Sequence, residues 1–193
     1  MKKFLFAAVA LFIVNGAFAQ INFGAKAGVN LANVTDADDA SMKFGFHVGG
    51  FAEFVINERI SIQPELLFST QGTTTDYKEA GVSIDASLNL NYINVPVLLK
   101  VNIAGGLSAE VGPQVGFLLS AKLKEEAMGL SATEDVKDQL KTLDVSLPIG
   151  LSYTFAEKFV VGARYAFGLT KISKEGDSKS KNSVIQISFG YKF

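Results

Sequence analysis

Cysteine is missing from this 193-residue sequence and histidine occurs once, at His47. Without cysteine there is no disulfide framework, no thiolate metal site and no cysteine nucleophile. One histidine cannot build a multi-histidine metal centre, so neither a metal nor a cofactor is expected. Acidic and basic residues nearly balance, 19 against 18, which removes the basic footprint of a nucleic-acid-binding protein. Long apolar runs are lacking as well. Past residue 20 none approaches the roughly 18 residues of a transmembrane helix, although 48% of the residues are hydrophobic and mean hydropathy is +0.26. That apolarity has to be distributed over shorter elements.

The first residues read as a secretory signal peptide. Met1-Lys2-Lys3 is basic, Phe4 to Val14 is apolar but short, and Ala17-Phe18-Ala19 places small residues before Gln20. Cleavage is expected after Ala19, which divides the chain into a signal peptide, 1–19, and one exported domain, 20–193. The cleavage site carries no lipoprotein cysteine, and a retained N-terminal anchor is the weaker alternative.

Period-two alternation begins at once in the mature chain. Ile21, Phe23, Ala25, Ala27, Val29 and Leu31 interleave with Asn22, Gly24, Lys26, Gly28 and Asn30, as in a strand with one apolar and one polar face. The same pattern marks 43–56, 60–70, 92–103, 107–121, 145–155, 159–169 and 184–193, eight strands in all. The apolar phase is odd in the first strand, even in the next two, and odd from Ile93 onward, through Leu107 to Ala121 and on to Phe193. None of these positions is Asp, Glu, Lys, Arg or His. The opposite phase holds Lys26, Lys43, His47, Glu53, Glu65, Lys100, Glu110, Arg164 and Lys192. Lys or Arg facing lipid at mid-depth costs on the order of 2–4 kcal/mol, so the uncharged phase is the one that can face lipid.

Links between strands alternate in length. Asn57-Glu58-Arg59, Ala104-Gly105-Gly106 and Ala156-Glu157-Lys158 are short, whereas 32–42, 71–91, 122–144 and 170–183 are long and polar. Tight periplasmic turns and longer extracellular loops have this form. Aromatics gather at both ends of the apolar phase: Phe23, Phe54, Phe155, Phe159, Tyr191 and Phe193 toward the short turns, and Phe44, Phe68, Tyr165 and Phe167 toward the loops, as two interfacial girdles would. The fold class expected is all-β, an eight-stranded antiparallel up-and-down transmembrane β-barrel in the outer membrane. A short helix is expected in the third long loop, where Ser131-Ala132-Thr133-Glu134 has a capping-box pattern and Val136, Leu140 and Leu143 share one side. Pro64, Pro96, Pro113 and Pro148 fall inside proposed strands, which requires bulges or locally open pairing.

Several motifs resemble the PorT-type outer-membrane β-barrel domain family. They are Gln63-Pro64-Glu65-Leu66-Leu67-Phe68-Ser69 with Gly72, Tyr92-Ile93-Asn94-Val95-Pro96-Val97-Leu98-Leu99-Lys100, Gly112-Pro113, Arg164-Tyr165 before Gly168-Leu169, and Gly190-Tyr191-Lys192-Phe193. The resemblance spans the mature chain. It implies a small eight-stranded barrel and little about activity; the founding member is associated with a protein secretion system. The alternation of Phe189, Tyr191 and Phe193 at the C-terminus resembles the signal that barrel-assembly machinery reads by strand addition. Outer-membrane lipid, periplasmic chaperones, that machinery, and an extracellular or secretion-system protein at the long loops are the expected partners.

An eight-stranded barrel is just wide enough for side chains to fill it. Lys26, Glu53, Glu65, Lys100, Glu110 and Arg164 are expected to meet inside as a paired network, because buried charges survive when paired. Glu65 is expected to face Lys100, with Arg164 as its alternative partner. Two other functions stay open at this point. A soluble periplasmic barrel would turn the apolar phase inward around a small hydrophobic ligand. An outer-membrane hydrolase would use His47 or the carboxylates Glu53, Glu65 and Glu110, although Val48-Gly49-Gly50 beside His47 supplies no nucleophile. No catalytic residue is assigned; a structural, adhesive or secretion- and assembly-accessory role is expected.

Overall fold

The computed structural model describes residues 20–35, 40–79, 82–127, 130–174 and 180–193. The expected signal peptide, with Ala17 and Ala19, lies outside the described residues, and Gln20 opens the first strand. The strands are β1 (Gln20–Val34), β2 (Ala40–Val55), β3 (Ile60–Glu79), β4 (Val82–Ala104), β5 (Leu107–Val111), β6 (Gln114–Ala127), β7 (Leu130–Asp135), β8 (Leu143–Phe155), β9 (Phe159–Gly168) and β10 (Asn182–Lys192). All pair antiparallel, and β1 pairs with both β2 and β10, which closes the sheet. Since β4 and β8 each pair with both β5 and β6, these two are halves of one wall strand. The wall is therefore a ring of eight.

The alternation sets which side is wet. Outward positions carry Leu66 at 60% exposure and Phe44 at 68%, while the next residue inward from Leu66, Glu65, is 3% exposed. The apolar phase faces out and the charged phase in, the reverse of what a soluble ligand-binding barrel requires. At the short-turn end the aromatic rings touch in series, Phe155–Phe159 at 5.4 Å, Phe159–Tyr191 at 5.3 Å and Tyr191–Phe193 at 5.9 Å between centroids. Toward the loops, Tyr165 packs on Phe167 and Phe46 on Phe68. Gly105 and Gly106 take positive φ in their two-residue turn, the geometry that suits the twist of a tight hairpin.

Each proline coincides with a lapse in the ladder. Pairing of β2 with β3 skips from Phe51↔Glu65 to Phe54↔Ile62, around Pro64. Pairing of β3 with β4 skips from Pro64↔Val97 to Leu67↔Asn94, around Pro96. Next, β4 skips from Pro96↔Gln114 to Leu99↔Val111, and β8 from Ser146↔Gln114 to Ile149↔Val111, around Pro113 and Pro148. Proline lacks the N–H but keeps its carbonyl. Val97 donates to the Pro113 carbonyl at 2.9 Å and Gly112 to that of Pro148 at 3.3 Å. Four successive interfaces thus share one oblique seam.

Above the loop-side girdle the structure departs from expectation. The region 71–91 is mostly not a loop: β3 and β4 stay paired out to Glu79↔Val82, and β-favouring residues such as Thr73, Thr74, Thr75 and Ile84 account for it. The helix expected after Ser131 is instead β7, paired with β6 from Lys122↔Asp135 to Ala127↔Leu130. A helix this short is marginal, whereas the β6 extension offers a ready ladder, with Lys122 opposite Asp135 at its base. Among the described residues the helical structure is one 3-10 turn, Lys137–Gln139. Of the three residues expected on its apolar side, Val136 and Leu140 do pack together, and Leu143 points out from β8. One outward assignment is also corrected. A bulge opposite Asn91 and Tyr92 inserts Leu119 into β6, flips the phase beyond it, and buries Ala121 completely.

Candidate functional site

The wall register stacks the inward residues of neighbouring strands into tiers. In the lower tier, nearer the short turns, Lys100 faces Glu110 across β4 and β5, and Arg164 of β9 lies beside Gly150 of β8, which itself faces Glu110. Arg164 spans the lumen: its Nε donates to Glu110 Oε2 at 2.6 Å, and its two terminal nitrogens donate to Glu65 at 2.9 and 2.8 Å. Lys26 reaches Glu65 at 3.3 Å. Lys100 pairs with Glu53 at 3.1 Å and with Glu110 at 3.7 Å. All six expected residues meet and are nearly inaccessible. Of the two candidate partners for Glu65, the register selects Arg164, together with Lys26. The expected Glu65–Lys100 pair is replaced by a bridge through Gln63, which donates to Glu65 at 2.6 Å and accepts from Lys100 at 3.1 Å.

Gln63, Ser61 and Lys192 join the six expected residues in this network, Ser61 by donating to Glu53 at 3.0 Å. Gln63 lies in the inward phase two residues before Glu65. Lys192 sits on the polar phase of the last strand and donates to Glu53 at 2.6 Å. Its phase was the available signal; its place at the strand end obscured it.

The middle tier is polar and neutral. His47 lies 2.8 Å through Nδ1 from Asn30 Oδ1, which also accepts from Gln186 at 3.2 Å. The Asn30 amide nitrogen donates to Ser69 Oγ and to the carbonyls of Phe46 and Thr70. A side chain at Gly28 would press on His47 Cε1 at 2.6 Å, so the ring is clamped. His47 is 1% exposed, and a hydrolytic histidine needs a substrate within reach of its nucleophile. Above this, Leu90, Tyr92, Leu118, Ala121 and Val136 form an apolar cluster. It is covered by the segment after β7, which is tied down by Val136 N–H to Ala121 O at 3.0 Å and Lys141 N–H to Ile172 O at 2.8 Å. At the opposite end a cavity of about 540 Å³ opens between the short turns above Glu53, Lys100 and Lys192. Among the described residues no cluster of His, Cys, Asp and Glu is arranged to hold a metal ion.

A ring of eight antiparallel strands, apolar outside and charged inside, is the pattern of a family whose model, the outer membrane protein beta-barrel domain, matches residues 18–174. The chain belongs to this family. It is a protein of the bacterial outer membrane. Among solved structures it is similar to Ail, the attachment invasion locus protein of Yersinia pestis, at 19% identity, with 89% of this chain and 98% of that one covered and a TM-score of 0.51. Ail in complex with the heparin analogue sucrose octasulfate gives 20% identity, coverage of 90% and 99%, and the same TM-score. Neisserial surface protein A shares 14% identity over 88% of this chain and 95% of that one, with a TM-score of 0.52. These likenesses are of fold. No curated protein matches the chain.

Proposed function

We propose that this family member is a closed, non-catalytic barrel whose plugged interior holds up a rigid contact surface at the long-loop end, facing outward from the cell, with the short turns in the periplasm. The observation that carries this reading is the Arg164 bridge from Glu65 to Glu110 across the lumen, with Lys26, Glu53 and Lys100 closing around it. Side chains that span an eight-stranded barrel leave no room for a pore. In planar lipid bilayers the reconstituted protein should show no stepwise conductance; pore-like steps in the wild-type protein would overturn the reading. His47→Ala should not alter phospholipid or lipopolysaccharide turnover, because none is expected in either protein. Sequencing the protein recovered from outer membranes should find Gln20 first.

An adhesive role is favoured by a group of lysines at the loop end. Lys137, Lys141, Lys171, Lys174 and Lys181 lie on or beside the segments that cover the barrel there, with Glu134, Asp135 and Asp138 among them. Lysines grouped in this way offer a polyanion local contacts, and Ail was solved with a heparin analogue. Retention on immobilised heparin should fall when Lys141 and Lys171 are changed to Gln. A PorT-like secretion-accessory role, suggested by the Gln63–Ser69 and Tyr92–Lys100 motifs, would instead appear as loss of secreted proteins from a deletion strain. Engagement of the assembly machinery by Phe189, Tyr191 and Phe193 is tested by removing Phe193, which should slow membrane insertion.

A further inference from the structure

The lower network does not balance. Its members among the described residues are four cations, Lys26, Lys100, Arg164 and Lys192, and three carboxylates, Glu53, Glu65 and Glu110. The other buried carboxylate, Asp144, accepts from Thr170 at the loop end. It lies six residues along β8 from the Glu110 level, on the order of 20 Å away, too far to neutralise the surplus. An unpaired charge out of water is costly. Every carboxylate here is shared by two cations, in the order Lys26, Glu65, Arg164, Glu110, Lys100, Glu53, Lys192, so the surplus falls to the ends of the series, and the Glu53–Lys192 end is the one that opens on a cavity.

Glu53 forms the floor of the cavity between the short turns. Lys100 is 3% and Lys192 14% exposed at the side chain, so their charges are shielded from bulk solvent. Around them the inward phase supplies neutral donors: Asn22 opposite Glu53, and Asn102 opposite Ser108. The rim charges Glu58, Arg59 and Glu157 lie in exposed turns, where salt and water screen them. A concave, partly buried site whose inner end holds two lysines against one carboxylate, with amide and hydroxyl donors beside them, has the chemistry of an oxyanion receptor.

We propose that the cavity at the short-turn end binds a small oxyanion, a phosphate or a carboxylate, between Lys100 and Lys192 with Asn22, Asn102 and Ser108 around it. The anion completes the interior network. The site is independent of the loop-end surface and does not require that surface to bind anything.

The test uses the full protein refolded in detergent, with thermal unfolding followed at matched ionic strength in chloride, inorganic phosphate or acetate. Phosphate or acetate should raise the midpoint saturably by a few degrees over chloride; whichever acts at lower concentration identifies the class. Lys192→Met should abolish the response. Asn102→Asp places a carboxylate two residues from Lys100 on the same face. It should raise the midpoint in chloride and remove the anion response, so the two variants reach the same end, each lowering the charge of the site by one, the first by removing a cation and the second by adding an anion. The proposal is overturned if phosphate and acetate act no differently from chloride, or if Lys192→Met keeps the wild-type response. Should either variant fail to refold, phosphorus NMR line broadening of inorganic phosphate by the wild-type protein, competed by acetate, decides in its place, and absence of broadening and of any midpoint shift sinks the idea.

Discussion

The two halves of the barrel lumen are filled by different physics. Below, Lys26, Glu65, Arg164, Glu110, Lys100 and Glu53 are held by ion pairs whose geometry depends on wall register. Above, Leu90, Tyr92, Leu118, Ala121 and Val136 pack as the core of a soluble protein would. Between them lies the neutral tier of Asn30, His47 and Ser69. Charges tie opposite walls together across the lumen, with Arg164 of β9 reaching Glu65 of β3. The apolar tier instead fastens a covering segment onto one side of the wall. Removing a part should therefore have global consequences below and local ones above.

The largest effect is expected from Arg164→Ala, which leaves Glu65 with Lys26 and Glu110 with Lys100 at 3.7 Å. Breaking a buried pair costs roughly 3–5 kcal/mol, read as a lower denaturant midpoint in detergent. Arg164→Met combined with Glu110→Gln should recover part of that loss, because Glu110 is no longer left with Lys100 at 3.7 Å as its one remaining cation, while Lys100 keeps Glu53. Strictly additive losses would show that the two residues are not coupled. Next in size is Leu90→Ala in the apolar tier, about 2–4 kcal/mol if the cavity does not collapse. Here the comparison predicts a local result: protease cutting within 136–142 should rise while the barrel keeps its heat-modifiable migration. Unfolding of the whole barrel by Leu90→Ala would erase the distinction between halves.

How much of this could be read from the chain follows the same division. Where lipid borders the wall, every second residue from Ile21 to Leu31 and from Ile185 to Phe193 must be uncharged, so strands, faces and inward charges were legible. Beyond the bilayer no such constraint acts. The stretch Thr73–Thr75 and the Ser131–Glu134 pattern then read as loop and helix cap, although both are arms of hairpins, paired with Ala86–Leu88 and Leu123–Glu126, whose polar faces carry no lipid-imposed alternation. The bulge at Leu119 leaves the apolar alternation of 107–121 unbroken in the sequence, so the pattern points Ala121 outward where the structure buries it. Stagger is likewise a property of the whole ring, so the chain could name Glu65, Lys100 and Arg164 as inward without choosing between the cations.

His47→Ala tests the middle tier. It removes the partner 2.8 Å from Asn30 Oδ1, and a buried polar group deprived of a partner costs about 1–3 kcal/mol. Gln186 still donates to the same oxygen, so the loss should fall at the lower end of that range in denaturant melts. A loss as large as that from Arg164→Ala would place His47 in the charged tier energetically and move the boundary upward.

The smallest effect concerns the seam of prolines near that boundary. Pro64, Pro96, Pro113 and Pro148 interrupt four successive interfaces, whereas on the other side of the barrel β1 and β10 pair without a lapse from Gly24↔Lys192 to Val34↔Asn182. Replacing Pro96 with Ala adds a donor opposite Glu65. A new hydrogen bond contributes about 0.5–1.5 kcal/mol, and loss of the proline's restriction of the unfolded chain costs about 0.4–1 kcal/mol. The two offset, so global stability should change by less than about 1 kcal/mol in either direction. Exchange resolves what the midpoint cannot. In the wild-type protein the amides of Glu65, Leu66 and Val95 should exchange faster than those of Val29 and Ile187 at uninterrupted positions, because local opening there breaks fewer bonds. Pro96→Ala should narrow that gap from the seam side alone. Equal protection on both sides in the wild-type protein would mean that the lapses are closed by contacts other than the ladder, and that the two halves of the lumen share one uniformly bonded wall.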